Sequence, residues 1–243
     1  MDRRPAASDA TRSLGSFFDG ADIETARTRL ATQVVDGLRN MVLSGRLPPG
    51  TKLIQEQVAL ELGVSRTPLR EAIRVLVNEG LLTSISSSGS VRVIDPSARE
   101  VEQLYQIREV IDGLAARLCA GRDLPSEITE RLKESVERLA RASKPFDLNA
   151  FVAAHADFHV EILRSCGNDW LMQMEPLVRM TAQMLFRQFA SSGERMKKSI
   201  QEHRAILKTI LSGDQNEAER LAREHISAAS AYWVPRMQDE EVR

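Results

Sequence analysis

Ser65-Arg66-Thr67-Pro68-Leu69-Arg70-Glu71-Ala72-Ile73-Arg74-Val75-Leu76-Val77-Asn78-Glu79-Gly80 is the stretch on which the fold turns. Ser65 suits a helix N-cap, Pro68 fits the first turn, and Gly80 ends the segment. Leu69, Ile73, Leu76 and Val77 form an apolar stripe, and Arg66, Arg70 and Arg74, spaced by four, share a roughly opposite face. A helix with a core side and a guanidinium side can enter the major groove of DNA, where guanine edges and flanking phosphates accept arginine forks. Ser65 and Thr67 add hydroxyls for a phosphate, and the helix N-terminus adds backbone N–H groups. The same arginines would serve a solvated surface helix equally well, so the surroundings have to decide.

Upstream, Leu30, Val34, Val35, Leu38, Met41 and Val42 follow the spacing of one helix face, ended by Gly45 and Pro48-Pro49-Gly50. A short helix from Ile54 to Leu62 stops at Gly63. Downstream, Leu81–Ile85 and Ser90–Ile94 flank a Ser/Gly turn and predict a hairpin. Helix, helix, helix, hairpin is the order of a winged helix-turn-helix. Asp95-Pro96 then breaks the chain, and Ser97 with Glu100 forms a capping-box pattern that opens a new helix. From there the pattern is helical throughout: Ala98–Ala120, Ser126–Ala142, Leu148–Ser165, Trp170–Phe189, Met196–Leu211 and Gln215–Trp233. The breaks between them are short, which favours antiparallel neighbours. The expected fold is therefore mainly α: an N-terminal winged helix-turn-helix with a small β-hairpin wing, followed by an all-α antiparallel helical bundle. The expected division is a mobile tail over 1–25, the winged domain over 26–95, the bundle over 96–235 and a C-terminal tail over 236–243.

Composition agrees with a globular chain. Its 243 residues are 42% hydrophobic and 28% charged, with only two cysteines, Cys119 and Cys166. No run of eighteen apolar residues and no signal-peptide pattern is present, so a cytoplasmic protein without a membrane partner is expected. Net charge is −1, yet residues 26–95 carry nine Arg/Lys against six Asp/Glu. That modest excess points weakly to a polyanion.

The four histidines, His155, His159, His203 and His225, all fall in the helical part, each on an apolar stripe. One inward histidine is most simply a hydrogen-bonded core residue. Four on three helices, with an i,i+4 pair among them, offer a set of imidazole ligands to one divalent ion. Arg108 lies in the run Leu104, Ile107, Ile111, Ala115, Leu118, which faces inward. A guanidinium there needs an anion: either Asp112, one turn away, or an acidic ligand held in a bidentate fork.

Gly45-Arg46-Leu47-Pro48-Pro49-Gly50-Thr51-Lys52-Leu53, Leu62-Gly63-Val64-Ser65-Arg66-Thr67-Pro68-Leu69-Arg70-Glu71-Ala72-Ile73 and Leu76-Val77-Asn78-Glu79-Gly80-Leu81 resemble the DNA-binding domain of the GntR family of bacterial transcription regulators. The resemblance implies operator contacts by Arg66 and Arg70 and a wing tip at Gly89 in the minor groove. With the neighbouring polar residues, the implied DNA-contacting set is Arg46, Ser65, Arg66, Thr67, Arg70, Arg74 and Gly89. Glu56 stands where many relatives carry Arg, and the wing is less basic than is common. Tyr105–Arg117, Phe158-His159, Gly167-Asn168, Glu202–Ile206 and Gly213-Asp214 resemble the helical effector (FCD) domain of the FadR subgroup. That likeness implies a divalent metal held by one Asp and three His, with an arginine holding a small carboxylate. By position, His159, His203 and His225 match the histidines and Arg108 the arginine. His155 stands at the Asp position, so an all-histidine site is expected, suited to zinc and alternatively nickel.

These readings combine into a cytoplasmic, homodimeric transcription regulator, a repressor by type. It would bind a palindromic operator and respond to a small carboxylate at a metal site. The rival readings are a metal-dependent enzyme acting on a small organic acid and a pure metal sensor. Against the enzyme, the sequence holds no HExxH, no Gly-rich phosphate loop and no nucleophile motif.

Overall fold

A computed structural model describes residues 21–85, 90–185 and 193–241. The N-terminal part comprises α1 (Ala21–Leu43), β1 (Lys52–Ile54), α2 (Gln55–Leu62), α3 (Arg66–Asn78), β2 (Leu82–Ser84) and β3 (Ser90–Val93). The bundle comprises α4 (Ala98–Ala120), α5 (Ser126–Ala142), α6 (Leu148–Ser165), α7 (Asp169–Met172), α8 (Glu175–Arg179), a π-helical segment (Met180–Leu185), α9 (Gly193–Ser212) and α10 (Gln215–Glu241). The chain is mainly α with a small antiparallel sheet, as expected.

The winged domain is built by α3 burying Leu69, Ala72, Ile73 and Leu76 against Val34, Val35, Leu38 and Val42 of α1. Arg39 clamps the far end of α3: its Nε and Nη2 donate to the Glu79 carboxylate at 2.9 and 2.6 Å. Gly63 turns the chain from α2 into α3 at φ 64°, a left-handed conformation that a side chain would strain. The sheet order is β1-β3-β2, with Lys52 opposite Arg92 and Thr83 on its other side. The strand β1 goes beyond the expected hairpin. Three residues between a Gly turn and a helix carry no usable alternation, and only pairing with β3 makes them a strand.

In the bundle, Ser97 and Glu100 form the anticipated capping box on α4. The start of α4 (Ala98, Val101, Tyr105) packs with the end of α10 (Trp233, Val234, Met237) in one core, and its end (Ala116, Cys119) packs with Ala218 and Ala222 in a second. The two helices are therefore antiparallel. The pair α5 and α6 meets the same way, Leu139 with Phe151 at one end and Leu132 with Phe158 and Leu163 at the other. The middles of α4, α6, α9 and α10 thus lie between two apolar cores.

Several expectations are corrected. Residues 21–25, placed in the tail, begin α1. The C-terminal tail is also helical as far as Glu241: α10 runs through Pro235, because Trp233, Val234 and Met237 are buried. A helix-interior proline costs about 3 kcal/mol, which burial of side chains of this size offsets. The single helix expected over Trp170–Phe189 is instead α7, α8 and the π segment, with a turn at Gln173–Met174; Phe189 and Gly89 lie outside the described residues. Ile107 is 49% exposed, so it does not share the inward run that holds Arg108.

Candidate nucleic-acid interface and candidate metal centre

Arg66, Arg70 and Arg74 are all exposed on the side of α3 away from its buried stripe, with Ser65 and Thr67 exposed at its start. Ser65 occupies the N-cap in extended conformation, but its side chain makes no capping bond. The first N–H groups of α3 are therefore left without a side-chain cap at an exposed helix start. Arg46 is exposed on the turn after α1. A groove of about 350 Å³ between α3 and the sheet is lined by Arg70, Arg74, Asn78, Ser84 and Ser90. The sheet adds two cations that the motif reading missed. Lys52 and Arg92 are exposed and directly opposite each other on β1 and β3. The alternation Val91-in, Arg92-out, Val93-in was the available signal.

The histidines converge. His155 and His159 of α6, His203 of α9 and His225 of α10 are each 5% exposed or less. One ring nitrogen from each lies within 4.8 Å of those of the others. The Nε2 atoms of His159 and His203 are 3.2 Å apart. Each ring turns Nδ1 outward to an acceptor: His155 to the Ala182 carbonyl at 3.1 Å, His159 to Asp112 Oδ1 at 2.6 Å. His203 meets the Ser199 carbonyl at 2.6 Å and His225 meets Glu202 Oε2 at 2.6 Å. An acceptor at Nδ1 fixes the proton there, and the neutral ring then presents its Nε2 lone pair to the centre. Burial, helped by the neighbouring rings and, for His155 and His159, by Arg108, holds His155, His159 and His203 well below the usual imidazole range. Burial also lowers His225, against the pull of Glu202. Four neutral rings thus aim lone pairs at one another in an apolar setting, an arrangement that repels itself until a cation sits among them.

The donor set fits a divalent transition metal. At about 2.1 Å per metal–nitrogen bond, neighbouring donors stand about 3.0–3.4 Å apart and opposite ones about 4.2 Å. Outward carboxylate and carbonyl partners are what ligating imidazoles carry.

Arg108 is 1% exposed and already held: Nε and Nη2 donate to the two Asp112 oxygens at 3.0 and 2.8 Å. Asp112 therefore joins Arg108 to His159. Beside them a cavity of about 10 Å³ is lined mainly by Ile111, Phe158, Ile162, Val178 and Ile206, room for roughly one water. On the other side, Glu202 joins His225 to Arg195, whose Nη1 donates at 2.9 Å. Burial opposes charge on Glu202, but the His225 bond and Arg195 outweigh it and hold its carboxyl below the usual range. Glu202 was missed as a partner, since nothing in the local spacing marks a contact across 23 residues, and Ser199 was missed although it lies one helical turn before His203. Cys119 is buried against the Ile162 carbonyl, and burial pushes its thiol up to about 12, which leaves it inert.

The chain matches the family model for "Bacterial regulatory proteins, gntR family" over residues 30–91 and that for the "FCD domain" over residues 103–228. It is 30% identical over 211 residues, 87% of this chain and 92% of the relative, to a protein of Paenarthrobacter nicotinovorans named "Probable D-xylose utilization operon transcriptional repressor". The chain belongs to the GntR family. This GntR-family chain is also 27% identical to the regulator McbR of Escherichia coli, over 76% of its own length and 84% of McbR. Among solved structures, E. coli McbR/YncC superposes with a TM-score of 0.73 at 23% identity, covering 85% of this chain and 98% of that one. A GntR regulator from Rhodococcus sp. RHA1 gives 0.72 at 21%, covering 84% and 97%; both likenesses are of fold. This GntR-family chain is a transcription regulator with a DNA-binding helix-turn-helix domain and a helical FCD domain. Among the described residues, no helix is long and apolar enough to cross a membrane.

Proposed function

We propose that this regulator binds operator DNA through α3 and the wing, and that a divalent ion on His155, His159, His203 and His225 sets its DNA affinity. The observation that carries this reading is the outward engagement of all four Nδ1 atoms, which leaves four lone pairs facing one point. Zinc is the expected ion, with nickel the alternative. The purified protein should contain one ion per chain by elemental analysis. Chelation should lower the melting temperature, because the ion ties α6, α9 and α10 together. A ligand at a hundredfold excess over its Kd contributes about 2.7 kcal/mol. If the chain carries no divalent ion and takes up none at micromolar concentration, the site is a hydrogen-bonded core and this reading fails.

A small carboxylate effector is the second reading, and a charge count favours it. Arg108 and Arg195 offset Asp112 and Glu202, and the neutral rings add nothing, so a divalent ion would leave two positive charges uncompensated below the surface. An anion is the natural complement. Its carboxylate would have to displace Asp112 from the Arg108 fork and open the cavity. Calorimetric titration of the zinc-loaded protein with small mono- and dicarboxylates separates an ion-only sensor from an acid sensor. Absence of turnover in the same mixtures would count against a metal-dependent enzyme.

On the DNA side, Arg66, Arg70, Arg74, Arg46, Ser65 and Thr67 form the contacting set, joined by Lys52 and Arg92 on the phosphate backbone. Arg66→Ala and Arg70→Ala should each weaken operator binding by about 1–3 kcal/mol if the contact is to a base. Lys52→Ala should weaken all sequences alike and reduce the salt slope by about one. A double Arg66/Arg70 variant that still shifts operator as wild type does would remove α3 from the interface. The reading requires a second copy of this chain so that two α3 helices reach half-sites about one helical turn apart. Ile107 and Val110, 49% and 51% exposed on α4, offer an apolar face for it.

A further inference from the structure

Met180 and Met184 belong to the π segment of the bundle, yet both are buried in the core of the winged domain, with Val34, Val35 and Leu38 of α1. Between them lies Ala182, 1% exposed, whose carbonyl accepts the His155 Nδ1–H. Thr181, fully buried, shares its hydroxyl proton between the Leu177 and Val178 carbonyls. The other three rings anchor Nδ1 inside the bundle: on Asp112 of α4, on Ser199 of α9 and on Glu202 of α9. The path from His155 to α1 is thus one hydrogen bond and one six-residue segment long. π-Helical turns are rare within helices and occur frequently at functional positions.

We propose that His155, through its hydrogen bond to Ala182, is the residue that transmits ion occupancy to the DNA-binding domain. The proposal rests on the four-histidine metal reading. An ion that draws the His155 ring toward the centre moves Nδ1, and with it the Ala182 carbonyl. Met180 and Met184 are buried in one core with α1, so the shift is passed to the helix against which α3 packs. His155 acts here as a positioning residue through Ala182, besides donating Nε2 to the ion.

The test is hydrogen–deuterium exchange on the full chain with and without zinc, combined with zinc stoichiometry. In wild type, zinc should change exchange about fivefold or more in residues 180–185 and in the 34–43 part of α1, in the range usual for coupled sites. His155→Asp keeps an oxygen that can ligate but has no N–H for Ala182. It should bind zinc and protect α6, α9 and α10, while the change in α1 disappears. His155→Asn, which restores a donor, should recover part of it. Met184→Ala, which leaves the histidines untouched, should keep zinc affinity within about threefold and also lose the response in α1. If zinc-loaded His155→Asp or Met184→Ala alters α1 exchange as wild type does, the transmission proposal is wrong while the metal site stands. If wild type itself takes up no zinc, the metal reading falls and the transmission role falls with it.

Discussion

Arg108→Ala should destabilise the ion-free protein by about 3–5 kcal/mol, the cost of removing one partner of a buried ion pair. The pair is 1% and 7% exposed, and its two oxygens take a bidentate fork. Without the guanidinium, Asp112 keeps His159 as its neighbour at 2.6 Å. Loss of Arg108 removes a positive charge that lowers His159. The ring should therefore take up a proton more readily and pair with the carboxylate. The variant should recover part of its stability as pH falls, unlike wild type. Replacing both members with apolar residues, Arg108→Met with Asp112→Leu, should restore much of the loss, because no stranded charge remains. Thermal unfolding of the chelated protein reads all three. If Arg108→Ala melts with wild type, the fork is not structural, and its purpose is an incoming anion alone.

Acidification should have an effect of similar size on the ion-free chain. All four rings titrate below the ordinary value of 6.5 when folded. Above that value both states hold neutral rings and the histidines add no pH dependence. Below it the unfolded chain binds protons that the folded chain does not, so stability falls as pH falls from the unfolded pKa toward the folded ones. Each ring contributes a slope of up to about 1.4 kcal/mol per pH unit, and four acting together up to about 5. Asp112 and Glu202 moderate this as counter-charges, and Arg108 and Arg195 sharpen it. Urea unfolding at pH 7.5, 6.5 and 5.5 with chelator present measures the slope. A flat profile would show that the rings are not held neutral. With an ion bound the loss should be steeper, since protons and metal compete for the same lone pairs.

Much of this was legible in the chain because it is local. Ser97 and Glu100 mark a helix start within one turn, the arginine face of α3 follows from a spacing of four, and Asp112 is within reach of Arg108 for the same reason. The four histidines announced themselves by falling on apolar stripes. What escaped is what distant chain supplies. No pattern around Ala182 foretells a hydrogen bond from His155, 27 residues away. The β1 strand exists only through β3, and α10 crosses Pro235 only because Trp233 and Met237 find a core. Met196 packs within the bundle, whereas Met180 and Met184 pack into the winged domain, a split that no local spacing marks.

The π segment also has a consequence for how this gene can vary. A wide turn holds one residue more than an α-helical turn of the same hydrogen-bonded span. Deleting one residue within 180–185 would let the segment close into ordinary helix, and everything downstream in it would rotate by about 100°. Met184 would then leave the pocket on α1 while Ala182 turned away from His155. Insertions and deletions are tolerated in most connections of an all-helical domain. Here a single codon lost would disrupt the packing of the bundle on α1, so sequence length across these six positions should be more tightly held than sequence identity.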